Sequence, residues 1–575
     1  MPGFNLSIGN FRFPSKKPRH NLDLEAIVAE DYVVNKFTLK KFENDKLFVD
    51  RQTYLLILEG TILNKKDLIQ DSENWEETVI NMYRQIGDTF FNQFRGSFSG
   101  CLYDKIEEKW IVFTDQLGTK PLFYSFLDGQ LLLSSEIADL YLLYGAYNRD
   151  LDFDVQAGYM LLSYGYMLDG HTLSSRIKKL EAGKYIILGR DIDFSVNTYY
   201  KLPKSFISDN YDEVDIIKEL DQRFRNAIEL QFEKDKEYGY KHLVGLSGGL
   251  DSRMTSWVAH EMGYIDQVNF TFSQTNYLDE TIAKEIASDL KHEWIFKSLD
   301  NGNFLEDIDT ISEITGGNVL YYGLAHGNSL YKLLNFDNFG IIHSGQLGDV
   351  IIGSFIKDFS ASNLESLGGA NSRTLKSKVQ SSPGGFENFA ELESAMIYQR
   401  GINGANSGLL AAQYYSESLS PFYNIDFFEF CLSIPINVRS NHNLYKQWIL
   451  KKYPAAAQYI WEATNQKIDQ KPFSIPYKGK SIPVSQIASI LLKKIKKNIP
   501  AIQTKHHMNP LDFWYNNNTR LKGFQDSYYK DNIELLAGFK DLQKDCKTLY
   551  DTGSAIEKNQ VLSLLSTMNL FFREH

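Results

Sequence analysis

One segment constrains the fold of this chain more than any other: an apolar strand runs into a turn of small residues and then opens a helix. It reads Leu-Val-Gly-Leu-Ser-Gly-Gly-Leu-Asp-Ser over residues 243–252. Small residues let the backbone approach an oxyanion, which successive N–H groups and the helix amino terminus can then hold. A plain strand-to-helix turn is the alternative, but the complete string favours a phosphate cradle. It is not a Walker loop, because no Lys follows the glycines.

The residues on both sides of this turn predict a parallel α/β sheet. Residues 214–233 carry apolar side chains at helical spacing. After the turn, strand patterns at 267–272 and 293–297 flank a helix pattern at about 279–290. Strands that alternate with helices are typical of a parallel sheet. Asp251 lies where its carboxylate could hold Mg²⁺ against bound phosphates.

The first 200 residues have a different pattern. Short apolar runs bounded by turns occur at 54–58, 110–113, 130–133 and 185–188, and these are strand lengths with strand composition. A mostly β layered domain is therefore expected. The chain has 575 residues, more than the roughly 250–300 at which a single core stops growing, so at least two domains are expected. We place the boundary in the polar stretch 201–210, which gives domains 1–205 and 206–575.

Two later segments carry weaker signals. Residues 358–387 are rich in Ser, Gly and Asn, which predicts a long loop or lid. The chain from about residue 480 is predicted to be helical. Its basic run at 493–497 fits the solvated face of a helix, and binding of an acidic or phosphate-bearing partner is the alternative.

The glycine turn resembles the pyrophosphate loop of ATP pyrophosphatases, which transfer AMP to a substrate. A second strand and small-residue turn, residues 341–353, resembles the second signature of asparagine synthetases. In that family, the acid matching Asp349 shares Mg²⁺ with the acid matching Asp251. This chain departs from the family at Gln346, where Glu is usual, and at Val350, where a second acid is usual. The change to Gln346 puts aspartate as the substrate in doubt, more than it puts the ATP chemistry in doubt.

The same resemblance implies a nucleotide site and a catalytic cation. The residues that match its ATP contacts are Leu246, Ser247, Gly248, Gly249, Asp251, Ser252, Phe272, Ser344 and Gly345. The segment 446–468 resembles the family's helix and the stretch holding its catalytic Lys. Lys467 is the predicted residue, with Lys471 as the rival and an ordinary surface Lys as the alternative. Leu419 stands where the family carries Arg, and we expect it to pack in the core.

Residues 91–140 resemble the class II glutamine amidotransferase domain through several ordered short motifs. That domain uses a Cys exposed at its amino terminus as the nucleophile. Here Pro2 follows Met1, and Cys101 lies within the scaffold. Glu59-Gly60 also stands where the family has an oxyanion-stabilising Asn-Gly, and a carboxylate would repel the oxyanion. We therefore expect no glutaminase activity, and we expect Asp115 and Lys120 to be structural.

Together the resemblances imply an asparagine synthetase B-like family member, a group that includes β-lactam synthetases and lasso-peptide cyclases. The expected fold is an α+β, Ntn-hydrolase-like β-rich layered domain followed by an α/β parallel-sheet ATP pyrophosphatase domain. The second domain belongs to the adenine nucleotide α-hydrolase-like class and has extra C-terminal helices. The expected cofactors are ATP and Mg²⁺.

The expected function is an ATP-dependent amide-forming ligase. It would adenylate a small-molecule or peptide carboxylate and then join it to ammonia or an amine. Asparagine synthesis is the family default, whereas amidation of a sugar acid or ring closure fits the missing glutaminase better. A non-catalytic nucleotide-binding scaffold that kept the fold is the alternative. ATP-dependent thiolation is a third reading, disfavoured by the lack of paired cysteines.

Composition restricts the partners and the location. The net charge of −11 argues against a general nucleic-acid-binding surface. Three scattered cysteines suggest neither a metal cluster nor a disulfide framework. No run of 18 apolar residues and no signal peptide is visible, so no membrane association is expected. A cytoplasmic location and a homodimer complete the expectations.

Overall fold

The structure of the protein is a computed structural model, and it describes residues 2–16, 19–69, 74–190, 193–203, 212–360, 364, 367–380, 385–470, 474–477, 480–483 and 507–573. Within these residues, no helix is both long and apolar enough to cross a membrane.

The first part of the chain forms two six-stranded antiparallel sheets with a few helices, as the short apolar runs predict. Their strand orders are β10-β8-β9-β1-β3-β2 and β12-β11-β7-β6-β5-β4. The strands are β1 Gly3–Ile8, β2 Leu22–Val28, β3 Tyr32–Leu39, β4 Leu47–Asp50, β5 Tyr54–Ile62, β6 Gly96–Asp104, β7 Lys109–Thr114, β8 Phe123–Leu127, β9 Gln130–Ser134, β10 Ile177–Lys179, β11 Lys184–Gly189 and β12 Ser195–Thr198. The helices are α1 Lys65–Leu68, α2 Trp75–Ile86, α3 Ile137–Ala146 and α4 Val155–Ser163.

Side chains alternate between the two faces of each strand, and this alternation places apolar residues on both faces of the sheet that contains β5. On β5, Leu55 and Ile57 face the space between the sheets, where they pack with Phe4, while Leu56 and Leu58 face the opposite side, towards α2. Both faces are fully or almost fully buried. Glu59 follows Leu55 and Ile57 on the inner face, so the alternation of β5 places a carboxylate at the end of an apolar layer.

The second part of the chain contains the predicted parallel sheet, in the order β15-β14-β13-β16-β17. Its strands are β13 Lys241–Gly245, β14 Gln267–Ser273, β15 Glu293–Ser298, β16 Phe339–His343 and β17 Ser418–Leu419. The helices are α5 Glu213–Glu237, α6 Leu250–Glu261, α7 Leu278–Leu290, α8 Ile308–Thr315, α9 Tyr322–Tyr331, α10 Phe389–Met396, α11 Leu410–Gln413, α12 Ile425–Ser433, α13 Ile436–Arg439 and α14 Asn443–Lys452. Short π-helical segments cover Asp349–Gly353 and Ile397–Gly404. The predicted boundary at 205/206 falls in 204–211, outside the described residues, and stays a prediction.

The chain beyond the parallel sheet differs in part from the expectation. Residues 480–483 are not helical, because Ser474–Tyr477 (β18) and Lys480–Pro483 (β19) pair as antiparallel strands. Helices follow later, and they are α15 Leu511–Asn517, α16 Thr519–Asn532, α17 Lys540–Thr552 and α18 Ala555–Phe571. The basic run at 493–497 lies outside the described residues. Helix α18 begins at a capping box on Ser554 and is buried along most of its length, in a cluster shared with α4 and α8.

The predicted loop at 358–387 is irregular where it is described, apart from one 3₁₀ turn at Lys376–Lys378. It is also held in place. The hydroxyls of Ser372 and Thr374 donate to Glu557 on α18 at 2.7 and 2.8 Å, and Leu375 is buried beside the C-terminal helices. The described part of this segment therefore packs as a strap between the parallel-sheet domain and α18.

The two domains meet through a buried group of four charges, which we call the ion quartet: Lys46, Glu59, Lys120 and Glu417. Lys120 Nζ lies 2.8 Å from Glu417 and 3.5 Å from Glu59, while Lys46 Nζ lies 3.3 Å from Glu59 and 3.7 Å from Glu417. None of these side chains is more than 6% exposed. Because Glu417 directly precedes β17, the quartet joins the antiparallel domain to the edge of the parallel sheet.

The quartet is balanced electrically. Burial alone would lower the pKa of Lys120, but the carboxylates of Glu417 and Glu59 outweigh it and raise that pKa. Burial likewise opposes ionisation of Glu417, yet Lys120 and Lys46 hold the pKa of Glu417 below its usual value. A lowered acid pKa contributes stability above the pKa of the unfolded chain, and this is lost as pH falls through the folded value. The raised pKa of Lys120 contributes stability below the pKa of the unfolded chain. This stability is lost as pH rises through the pKa of the folded protein.

We predict that Glu417→Gln destabilises the protein by about 3–5 kcal/mol, because it leaves the two buried ammonium groups of Lys46 and Lys120 facing a single carboxylate, Glu59. Urea denaturation followed by fluorescence measures the change. The matched control is Arg190→Gln. Arg190 forms an ion pair with Glu108, and the two side chains are 72% and 45% exposed. That substitution should cost less than about 1 kcal/mol. Equal effects of the two variants would contradict a structural role for the quartet.

Candidate functional site

The first glycine turn lies at the carboxyl end of β13, as the strand pattern predicts. Leu246 N–H donates to Phe270 O on β14 at 2.9 Å, so the turn leaves the sheet between two parallel strands. Ser247 N–H donates to Ser252 Oγ at 3.0 Å, and the two hydroxyls are 2.8 Å apart. Gly248 has no room for a side chain, since a Cβ there would lie 2.8 Å from Glu462 Cβ. The turn is thus a tight loop that opens α6.

The second turn, after β16, lies directly against the first. A Cβ on Gly345 would lie 2.4 Å from Ser252 N and 2.6 Å from Asp251 C. A Cβ on Gly348 would lie 2.7 Å from Asp251 Cγ. Leu347 between them takes a left-handed conformation with φ of 64°, an uncommon conformation for a residue other than glycine. The small residues of both motifs are therefore needed where the two backbones touch.

This contact brings the two predicted acids together. Asp349 N–H donates to Asp251 Oδ2 at 2.9 Å, while Asp251 Oδ1 is buried without a hydrogen-bond partner among the described residues. Burial raises the pKa of Asp251 well above its usual value, and the carboxylate of Asp349 raises it further. Asp349 itself is exposed. Two adjacent carboxylates, one with a free buried oxygen, have the chemistry of an oxygen-ligand site for Mg²⁺.

A third acid, which the sequence motifs do not single out, borders the first turn. Asp279 Oδ1 accepts the Gly248 N–H at 2.8 Å. Burial raises the pKa of Asp279 to about 6, Gly248 N–H opposes the rise, and Glu462 adds to it. Asp279 therefore occupies one of the backbone donors that a bound phosphate would use. Asp279 lies in the first turn of α7, after strand β14. The sequence pattern there indicated only the start of a helix.

Arg253 is a second residue that the motifs do not single out. Its guanidinium is fully buried and donates to Gly248 O at 3.2 Å, to Ile460 O at 2.6 Å and to Ala456 O at 3.2 Å. Burial lowers its pKa to about 10. Because its donors join the glycine turn to the segment 456–460, Arg253 positions the chain that leads to Lys467.

Lys467 lies close to the first glycine turn, but its side chain is not bonded to Asp251 or Asp349. Its Nζ donates to Gln458 Oε1 at 3.2 Å. The preceding Glu462 N–H donates to Gly248 O at 3.1 Å, so the segment borders the first turn. Lys471 lies outside the described residues. A different cation, Lys446, lies 5.3 Å from the centroid of the Trp461 ring. It is near His442, whose pKa is affected by the charges of both Lys446 and Asp349.

Phe272, Gln346 and Leu419, three further residues of the resemblance, lie in the following surroundings. Phe272 lies at the end of β14 and packs against His326, with 4.8 Å between ring centroids. Burial lowers the pKa of His326 to about 4, so its ring is neutral at pH 7. Gln346 Nε2 donates to Ala405 O at 2.7 Å and thereby ties the second turn to the residue that follows the π-helical segment Ile397–Gly404. Leu419 is buried in a core cluster with Ile341, as expected.

Behind the second turn lies a buried hydrogen-bonded group. Asp235 Oδ2 is 2.9 Å from His242 Nδ1 and 2.7 Å from His343 Nε2, and the ring of His343 stacks on Phe232. These distances are those of hydrogen bonds rather than of two ligands that share a metal ion. Since His343 directly precedes Ser344, the group anchors the strand that carries the second turn.

The fold and these turns define a class of protein: an antiparallel two-sheet domain followed by a parallel-sheet domain with two acid-bearing glycine turns. Residues 40–200 match the family model for a glutamine amidotransferase domain, and residues 219–394 match the one for asparagine synthase. The chain therefore belongs to an asparagine synthetase-like family, as its motifs predict.

Several characterised proteins resemble parts of the chain. The Bacillus subtilis protein named asparagine synthetase [glutamine-hydrolyzing] 1 is 24% identical over 46% of this chain and 42% of its own length. Asparagine synthetase B [glutamine-hydrolyzing] of Escherichia coli is 24% identical over 36% and 33%. Amidase chry2 of Gibberella zeae is 26% identical over 31% and 25%. The chain thus spans less than half the length of these relatives.

Solved structures overlap only loosely with this one. Glutamine phosphoribosylpyrophosphate amidotransferase from B. subtilis, solved with ADP and GMP, gives a TM-score of 0.21 at 9% identity, covering 48% of this chain and 54% of that chain. The NMN synthetase of Francisella tularensis gives 0.19 at 13% identity, covering 43% and 97%. These overlaps are too low to add to the fold described above.

The raised pKa of Asp251 gives a stability prediction. A buried acid with a raised pKa binds its proton more tightly when folded, so the native state loses stability as pH rises from the pKa of the unfolded chain towards the raised one. Asp251→Asn keeps an acceptor for Asp349 N–H and removes the charge. At pH 7, without nucleotide or Mg²⁺, we expect the variant to melt a few degrees higher than the parent protein. As pH is lowered, the difference should shrink.

Scanning calorimetry from pH 8 to pH 5 measures this difference. Asp469→Asn, at an exposed position, is the matched control and should leave the melting temperature unchanged. A variant Asp251→Asn that melts lower than the parent at pH 7 would show that the carboxylate is stabilised in the fold.

Proposed function

We propose that this chain is an ATP-dependent amide-forming ligase of the asparagine synthetase type, without glutaminase activity. The hydrogen bond from Asp349 N–H to Asp251 Oδ2 carries the proposal, since it joins the acids of two separate glycine turns at 2.9 Å. Membership of the asparagine synthetase-like family supports it, although the matched relatives are covered only in part.

ATP would bind where the two turns meet. The N–H groups of Ser247, Gly248 and Gly249 and the amino terminus of α6 would hold the phosphates. Gly248 N–H would exchange the carboxylate of Asp279 for a phosphate oxygen, and the N–H groups of Ser247 and Gly249 would likewise exchange the hydroxyl oxygens that now accept from them. Phe272, Leu246, Ser344 and Gly345 would form walls of the nucleoside pocket. Mg²⁺, held by Asp251 and Asp349, would supply positive charge against the phosphates.

The first chemical step would activate a carboxylate. Its oxygen attacks the α-phosphorus of ATP, the bond to the β-phosphate breaks, and pyrophosphate leaves, which yields an acyl-adenylate. Negative charge builds on the phosphate oxygens in the transition state. A cation beside them stabilises that charge. Lys467 is the proposed residue, and its exposed hydrogen bond to Gln458 would have to be released for its side chain to reach the phosphates.

The second step would form the amide. An amine nitrogen attacks the acyl carbon, loses a proton, and displaces AMP as the leaving group. The acyl donor would be a small-molecule or peptide carboxylate, and the nitrogen would come from ammonia or an amine. By the family resemblance, Gln346 would face the acceptor, and because it carries no charge where Glu is usual, a substrate other than aspartate is favoured. Amidation and ring closure both fit this chemistry.

Two observations support the absence of glutaminase activity. Glu59, which is 2% exposed, places a carboxylate where the related domain stabilises an oxyanion. Cys101 is fully buried within β6, and burial raises the pKa of its thiol well above the usual range. A buried, protonated thiol is a poor nucleophile. The antiparallel domain would instead serve as a wall of the ligase.

Glycine at position 345 is expected to be essential for nucleotide binding. Gly345→Ala would push apart two backbones, because its Cβ would lie 2.4 Å from Ser252 N. We expect ATP to bind at least about tenfold more weakly in the presence of Mg²⁺, as measured by calorimetric titration. Gly145→Ala is the control, since nothing lies within 4 Å of the added methyl group, and it should bind ATP normally. Unchanged affinity in Gly345→Ala would place the nucleotide elsewhere.

The reaction itself is tested by exchange of labelled pyrophosphate into ATP across a panel of carboxylic acids. We expect exchange with some acids and none without an acid. Asp251→Asn and Asp349→Asn should abolish it, and Lys467→Met should lower its rate by about 10²–10³. Cys101→Ala should leave it intact.

The outcomes separate the alternatives. ATP binding without exchange under any acid would favour a non-catalytic scaffold. Exchange that survives Lys467→Met but not Lys446→Met would move the catalytic cation to α14. Loss of activity in Cys101→Ala alone would contradict the structural role given to the antiparallel domain.

A further inference from the structure

A cavity of about 40 Å³ lies where the antiparallel domain meets the helices of the parallel-sheet domain. The first domain contributes residues of the loop 118–123 and of the segment 167–179, and the second contributes residues of 315–319 and 402–410. Since one water needs about 10–15 Å³ of such space, the cavity has room for a ligand of about three or four non-hydrogen atoms. None of its lining residues belongs to the two glycine turns.

Lys179, the last residue of β10, lines this cavity and is half-buried, so part of its side chain remains open. Its Nζ donates to Asn403 Oδ1 at 3.2 Å, and because Asn403 lines the cavity as well, the ammonium lies at the cavity wall. Asn403 donates to Gln399 at 3.1 Å, and Gln399 donates to Asp169 at 2.6 Å, so a hydrogen-bonded chain fixes this position. An ammonium has three N–H donors. Lys179 uses one of them in the described part of the chain, which leaves two for a ligand.

The charge of Lys179 has no counter-ion among the described residues. The charges of Glu181 and Asp115 act on it, but neither carboxylate forms an ion pair with it. Asp115 accepts the hydroxyl of Thr119 at 2.7 Å instead. Glu181 pairs with Lys184. Burial therefore outweighs both carboxylates and lowers the pKa of Lys179 to about 8. A buried cation without a partner is costly, so an anion that enters the cavity would be bound favourably.

The other groups of the cavity wall also favour an anion. No carboxylate is among the lining residues, and the titratable side chain besides Lys179 is His171, whose Nδ1 lies 3.1 Å from Asp154. Asn406 supplies a second donor. Its Oδ1 is enclosed without a partner, whereas its Nδ2, which has no acceptor among the described residues either, is not enclosed. The amide nitrogen of Asn406 is therefore the atom that is open to the cavity.

We propose that this cavity binds a small monocarboxylate between the two domains, with Lys179 as its counter-ion. One carboxylate oxygen would accept from the Lys179 ammonium, and the other would accept from Asn406 Nδ2. The short apolar chain of the ligand would lie against Met167 and Ile402, which line the same cavity. The proposal is independent of the ligase reaction, because the cavity shares no lining residue with the paired glycine turns.

Ligand-observed NMR titration of the full chain with sodium acetate, without ATP or Mg²⁺, tests the proposal. We expect saturable binding. Acetamide has nearly the same shape without the charge, so it should not displace acetate. Chloride should compete more weakly than acetate, because it cannot accept from two separate donors through two oxygens. Absence of saturable binding, displacement by acetamide, or equal competition by chloride would overturn the proposal.

The anchor is tested by Lys179→Met, which removes the ammonium and keeps an unbranched side chain. This variant should bind acetate at least about tenfold more weakly, because a charged hydrogen bond is lost. Lys178→Met is the matched control. Lys178 is the preceding residue of β10, does not line the cavity, and lies on the opposite face of the strand, so its variant should bind acetate normally. Unchanged affinity in Lys179→Met, or an equal loss in Lys178→Met, would overturn the proposal.

Two further variants keep the test decisive. If Lys179→Met does not fold, Asn406→Leu removes the second donor at similar volume and should also weaken acetate binding, and unchanged affinity there would overturn the proposal. Asp349→Asn alters the paired glycine turns and should bind acetate as the parent chain does. Weakened binding in that variant would place acetate in the ligase site and overturn the proposal. Because no ATP is present, failure of pyrophosphate exchange and failure of acetate binding are distinguishable results.

Discussion

The contact between the two glycine turns is the constraint on which the functional part of the molecule depends. At Gly345 the backbone of the second turn lies too close to Asp251 and Ser252 for any side chain. This approach allows Asp349 N–H to reach the carboxylate of Asp251. Both turns leave neighbouring parallel strands, β13 and β16, at the same edge of the sheet. The sheet therefore fixes the distance between two acids that are far apart in sequence.

The antiparallel domain is tied to this arrangement through a short edge strand. Ile342 N–H donates to Glu417 O, and Ser344 N–H donates to Leu419 O, each at 2.8 Å. The side chain of Glu417 belongs to the ion quartet, whose other members come from the first domain. One two-residue strand thus carries the second glycine turn on one side and the domain interface on the other. A buried charge network at this position favours a single relative arrangement of the two domains.

Much of this fold was predictable because its signals are local. The strand-turn-helix string at 243–252, the strands near 54, 110, 130 and 185, and the helices near 214 and 279 follow from composition and periodicity. The pairing of Asp251 with Asp349 followed from a family resemblance. Arg253, Asp279 and Glu417 were not predictable as contacts, because each acts on residues brought close only by the tertiary fold. The strands at 474–477 and 480–483 were missed, since each has only four residues and contains Pro, which is uncommon inside strands.

Two of the buried charge groups among the described residues, the ion quartet and the acids of the paired turns, differ in a way that indicates their roles. In the ion quartet each carboxylate faces an ammonium, and the pKa of Glu417 is lowered accordingly. At the paired turns Asp251 faces another acid, and its pKa is raised. A fold gains nothing from holding the buried carboxylate of Asp251 against that of Asp349, since each makes the other costlier to ionise. Such an arrangement is understandable where function supplies the missing positive charge. The compensated group holds the architecture together, and under the proposed function the uncompensated one would serve the chemistry.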